Sequence, residues 1–156
     1  MIKQQELSAF EEYLGQIYIF LRRENLIKVC PNSIYARYGL EINKGWFDIL
    51  ECTCQKVSET LTKYSLPQDA FVLLQCKQKF GKLKIYWELS EEDSAPAKSE
   101  IKALIREAYE RALKTCEFCG TSNESVGLRQ DSWVYTLCDE CCRKRMQKIS
   151  ESKKNK

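Results

Sequence analysis

The chain contains no histidine. That removes the usual general base near neutral pH, every Ser-His or Cys-His catalytic pair, and every metal site that mixes cysteine with histidine. No apolar run reaches the length that crosses a bilayer. The opening Met-Ile-Lys-Gln-Gln-Glu is polar, and the most apolar early stretch, Tyr13 to Leu21, is short and patterned as one helix face, so no secretory leader is expected. A broadly basic surface is also missing. Formal net charge is +3; residues 143–156 carry Arg143, Lys144, Arg145, Lys148, Lys153, Lys154 and Lys156 against Glu151, a net of +6, which leaves −3 on the rest. The usual electrostatic footprint of a nucleic-acid-binding face is therefore confined to the C-terminal end. With nine cysteines in 156 residues, a reducing cytoplasm is the expected compartment, where thiols and metal ligands outnumber disulfides.

What is present in strength is a spacing. Cys116-Glu117-Phe118-Cys119-Gly120 is answered by Cys138-Asp139-Glu140-Cys141, a C-x2-C-x18-C-x2-C pattern read as a zinc site. Two residues between cysteines let one tight turn aim both sulfurs at a single ion, and two such turns complete a tetrahedron. Gly120 stands where that turn passes through a geometry a side chain would crowd. Cys138 and Cys142 form a C-x3-C pair with the same first turn, but the two-residue spacing favours Cys116, Cys119, Cys138 and Cys141. Four thiolates leave no position for water, so one structural Zn2+ is expected, and no hydrolysis. Ordinary buried thiols are the plainer alternative; they give no reason for two such turns at this distance. A second site from Cys30, Cys52, Cys54 and Cys76 is disfavoured, because C-x-C on a helix points its sulfurs about 200° apart.

Periodicity supplies the rest. Ser8 to Glu11 reads as a capping box opening a helix over 9–23 on the stripe Phe10, Tyr13, Leu14, Ile17, Tyr18 and Leu21, with Glu11 and Glu12 outside. Residues 26–45 are ambiguous: Leu26 to Val29 and Leu40 to Ile42 read as short strands or loop. A second helix starts at Trp46 and ends before Pro67 on Phe47, Leu50, Cys54, Val57, Leu61 and Tyr64. Phe71 to Gln78 and Leu83 to Leu89 form a hairpin with Gly81 at a positive-φ position. Ser90 to Lys98 reads as a linker, followed by a third helix with Ile101, Leu104, Ile105, Ala108, Ala112 and Leu113 on one stripe. Val126 to Arg129 and Trp133 to Leu137 make the ribbon's hairpin, and a short helix from Arg143 frays into a lysine tail. The expected fold is α+β: helices packed on a short antiparallel sheet, with a C-terminal zinc ribbon. Its expected divisions are a body over 1–114, a ribbon over 115–145 docked on it, and a disordered basic tail over 146–156.

Gly45-Trp46-Phe47-Asp48-Ile49-Leu50, the stretch from Leu74-Gln75-Cys76-Lys77-Gln78-Lys79-Phe80-Gly81 to Lys82-Leu83-Lys84-Ile85-Tyr86, Thr115-Cys116 and Thr136-Leu137-Cys138 resemble a family of small zinc-ribbon proteins encoded in phages and prophages. That family shows a GW(F/Y) helix start, a QVKxKFGxLRFY hairpin and a ribbon reading TCxxCG to TLCxxC. The similarity covers about residues 40–142. Cys76 departs from its valine and Lys84-Ile85 from its Arg-Phe. The resemblance implies a phage accessory protein in the cytoplasm of a bacterial host. Such zinc-bearing proteins include anti-CRISPR inhibitors, some acting on type II effector nucleases, so the expected partner is a host defence protein and the expected mode is direct, non-enzymatic binding. The contact residues named for it are Lys79, Lys82 and Lys84 at the hairpin and Glu91, Glu92 and Asp93 in the linker. The alternative is a nucleic-acid-binding regulator that uses Trp133, Tyr135, Arg143, Lys144 and Arg145.

Overall fold

The computed structural model describes residues 4–90 and 94–156. The acidic linker residues Glu91, Glu92 and Asp93 lie outside that range. Helices pack on a two-stranded antiparallel sheet, and a second two-stranded sheet carries the C-terminal ribbon, an α+β architecture.

The first helix differs from the periodic reading. Helix α1 spans Gln4–Ile17, a 3-10 turn covers Ile19–Leu21, and α2 spans Arg23–Val29. Five consecutive apolar residues from Ile17 to Leu21 cannot share one helical face. Tyr18 goes extended, which lets the adjacent Phe20 and Leu21 both enter the core while Ile17 and Ile19 remain exposed. Glu11 is not the outward half of a capping box. It is buried, accepting from the Leu40 N–H at 2.7 Å and pairing with Arg23 at 3.1 Å, so it pins α1 to α2 and to the chain at Leu40.

No strand forms at Leu26 to Val29, which are the second half of α2. Helix α3, Ile34–Tyr38, is capped by Ser33, whose oxygen accepts from the Ala36 N–H and donates to the Leu73 carbonyl. The Leu40 to Ile42 segment makes one parallel bridge: Glu41 donates to Cys76 and accepts from Gln78 through the backbone. Helix α4, Phe47–Lys63, buries Leu50, Cys54, Val57 and Leu61 as its stripe requires.

Strands β1, Phe71–Lys79, and β2, Lys82–Leu89, pair in antiparallel register from Phe71↔Leu89 to Lys79↔Lys82, with an irregularity between Leu73 and Gln75. Phe80 and Gly81 close the hairpin at φ 52° and 75°, the two positive values of a tight primed turn. The linker is shorter than its composition implied. Helix α5, Ala95–Leu113, starts with Pro96 in its first turn, where a missing N–H costs nothing. Ile101, Ala108 and Ala112 are buried along it, and α5 packs on both α4 and β2. One core of Leu, Ile, Phe and Trp side chains joins α1, α4, α5 and the sheet.

The ribbon's strands β3, Gly127–Gln130, and β4, Val134–Leu137, pair antiparallel. Helix α6 spans Asp139–Lys154, so residues placed in a disordered tail from 146 continue the helix without a break. Asp139 and Glu140 sit at its positive end and Lys153 and Lys154 at its negative end. The Glu140–Lys144 pair at 2.9 Å adds support one turn apart.

Candidate metal centre

Each cysteine is placed by a local turn. In the first knuckle the Gly120 N–H donates to the Cys116 carbonyl at 2.8 Å, and Gly120 sits at φ 80°. In the second, Cys138 caps α6, with its sulfur accepting from the Cys141 N–H at 3.4 Å. The four sulfurs of Cys116, Cys119, Cys138 and Cys141 all lie within 4.8 Å of one another, with Cys119 and Cys138 at 3.7 Å. A tetrahedral ion with Zn–S bonds of about 2.3 Å requires sulfur separations of roughly 3.8 Å. The group thus fits a metal ion, and the donor set of four soft thiolates is one that suits zinc. Cys116 and Cys138 are buried, Cys141 is half-buried and Cys119 faces solvent. Burial pushes the Cys119 and Cys141 thiols up. At Cys116 burial acts the same way but is outweighed by backbone hydrogen bonds from Cys119, Cys138 and Phe118, leaving that thiol below its ordinary range. Binding a cation here releases protons.

Cys142 packs beside this cluster without joining it. Cys54 and Cys76 are buried in the main core, and Cys30 and Cys52 are half-buried; the described residues hold no second cluster of ligating side chains.

A buried carboxylate that the sequence reading passed over organises the surroundings. Glu117, inside the first knuckle, is 0% exposed. Its oxygens accept from Asn43 Nδ2 at 3.0 Å, Gln78 Nε2 at 3.3 Å and the Thr136 N–H at 2.9 Å. Burial raises its pKa, and the donors of Thr136, Gln78 and Asn43 and the nearby Arg145 oppose that rise. Its main chain is committed as well: Glu117 donates to the Thr136 carbonyl and accepts from the Gly45 N–H, both at 2.9 Å. Around it Trp46 Nε1 donates to the Thr115 carbonyl at 2.9 Å, Thr136 Oγ1 to the Gly81 carbonyl at 2.6 Å, and Gln78 Nε2 to the Val134 carbonyl at 2.6 Å. A methyl group on Gly45 would stand 2.2 Å from the Cys116 carbonyl oxygen, so only glycine admits the knuckle this closely. Gly45, Trp46, Gln78, Gly81, Thr115 and Thr136 thus meet along one seam, where β1–β2 and the start of α4 clasp the ribbon.

The remaining named residues are dispersed. Tyr135 is half-buried, its ring 5.2 Å from Phe118 and covered by the Arg145 guanidinium at 4.5 Å. Arg145 makes a two-pronged pair with Asp131 at 3.1 and 3.2 Å, which holds the Asp131 carboxyl down at about 2 together with the Trp133 N–H. Trp133 is exposed but donates to Gln78 Oε1 at 3.2 Å. Arg143 is exposed, and Lys144 is paired with Glu140. Lys79 is exposed at the hairpin end and Lys82 is half-buried beside it; Lys84 lies with its Nζ 5.2 Å from the Tyr109 ring centroid. No helix among the described residues is long and apolar enough to cross a membrane. Compared with known proteins, the chain matches no family model, no curated protein and no solved structure.

Proposed function

We propose that the protein is a non-enzymatic binding protein in which one structural zinc ion, held by Cys116, Cys119, Cys138 and Cys141, fixes the C-terminal ribbon against the body. The observation that carries this reading is the convergence of four sulfurs within 4.8 Å on a knuckle whose intervening side chain, Glu117, is buried and bonded to the body. An ion there fills its coordination sphere with protein sulfur, so it orders the ribbon and presents no open position to a substrate. In its sharpest form the protein is phage-encoded and inhibits a host defence protein by direct binding, with a type II CRISPR effector nuclease as the partner. The motif resemblance supports that form. Its test is a pull-down with zinc-loaded protein against candidate effector nucleases and host lysate; absence of any host protein bound at micromolar concentration sinks it.

A second reading has its own observation. Helix α6 buries none of its residues and carries Arg143, Lys144, Lys148, Lys153 and Lys154, with Trp133 exposed on the adjoining ribbon. A helix this polar, with no fully buried side chain, suits nucleic acid, with lysines on phosphate and an aromatic ring for a base. Gel shifts across a salt series decide it: phosphate contacts must weaken steeply with salt and vanish on deletion of 143–156, whereas a flat response excludes them.

A further inference from the structure

Strand β2 pairs only with β1 among the described residues, so its other edge carries no strand. Antiparallel pairing turns the N–H and C=O of every second residue of such a strand away from its neighbour. Beside this edge, between β2 and α5, runs a groove of about 640 Å³. Leu83, Lys84 and Ile85 are consecutive on β2 and all line it; because successive side chains alternate faces, the groove follows the strand's edge and not one face of the sheet. The α5 wall is one helical stripe that includes Lys102, Arg106 and Tyr109. Lys84, Lys102 and Arg106 give the lining three cations, and no carboxylate lines it.

We propose that this edge and groove dock an extended, acidic segment of a protein partner, added to β2 as a third strand. The inference rests on the protein-binding reading above and assigns it a surface. Backbone groups on that edge supply the ladder, half-buried Ile85 and the Tyr109 ring meet apolar side chains, and the cations meet carboxylates. Charge also decides against a second copy of this chain. A second copy's β2 would bring Lys82 and Lys84 of its own to a groove already lined by Lys84, Lys102 and Arg106, with Glu88 the one carboxylate on the strand.

The test uses the full zinc-loaded chain and a synthetic octapeptide alternating Asp and Val, capped at both ends. Two control peptides carry Lys in place of Asp, or N-methyl groups on every second residue. The proposal expects saturable binding of the first peptide, slowed amide exchange within Lys82–Leu89, shifted resonances at Lys102 to Tyr109, and at least tenfold weaker binding of both controls. The triple variant Lys84→Glu, Lys102→Glu, Arg106→Glu should melt like the parent and lose at least tenfold in peptide affinity. Equal binding of the Lys peptide, an unaffected triple variant, or exchange protection that grows with protein concentration without peptide would each overturn it. If a partner captured by pull-down is held equally well by the triple variant, the groove is wrong and the protein-binding reading stands. Specific peptide binding with no host protein captured leaves the groove and removes the inhibitor reading.

Discussion

Glu117 shows how much one side chain can hold. Its carboxylate answers donors on Asn43, Gln78 and Thr136, and a buried donor left unanswered costs about 1–3 kcal/mol. Glu117→Gln is expected to destabilise the protein by about 2 kcal/mol in denaturant unfolding, because an amide turns N–H groups toward donors; an unchanged midpoint would place the carboxylate outside the stabilising network. Gly45→Ala should cost about 2 kcal/mol or more, since the added methyl meets the Cys116 carbonyl oxygen and backbone must yield. Phe80 points the other way. It occupies a left-handed conformation at φ 52° with 66% of its surface exposed, at a turn position suited to asparagine. Phe80→Asn is expected to raise stability by about 0.5–1 kcal/mol, read as a higher melting temperature; a fall would show that the ring packs usefully in the folded protein.

At the level of elements, what was legible in the sequence was local. The two knuckles declare themselves because a turn of four residues fixes both sulfurs, and α4 and the β1–β2 hairpin follow from clean periods of 3.6 and 2. The break at Tyr18 was not legible, because Ile17 to Leu21 satisfies any period and only the core decides that Tyr18, Phe20 and Leu21 enter while Ile17 and Ile19 stay out. Glu11 misled for a related reason: Ser8 and Glu11 have capping-box spacing, yet the carboxylate's partner is Leu40. Glu117 was illegible because Asn43 and Gln78 stand 74 and 39 residues away. The tail failed on composition, since lysine-rich sequence reads as disorder until acidic residues at one end and basic ones at the other are seen to complement a single helix. For α6 the expectation is a contrast. Removing residues 148–156 should change stability by less than about 0.5 kcal/mol, whereas Arg145→Ala should cost about 1 kcal/mol by releasing Asp131 and uncovering Tyr135.

For the whole molecule, the seam couples the four-cysteine cluster to the body. Trp46 is fully buried and donates to Thr115, one residue before Cys116, while Gly81 of the β hairpin receives Thr136, two residues before Cys138. Loss of the ion is therefore expected to loosen more than the ribbon, since a structural zinc contributes folding energy directly. The measurement that meets this account head-on is elemental analysis of the purified protein joined to thermal unfolding before and after chelation, with Cys116→Ser alongside. The account predicts one zinc per chain, a marked drop in melting temperature on chelation, and the same drop with no bound zinc in the serine variant. A chain without stoichiometric metal, or one whose melting is indifferent to chelator and to Cys116→Ser, would contradict it.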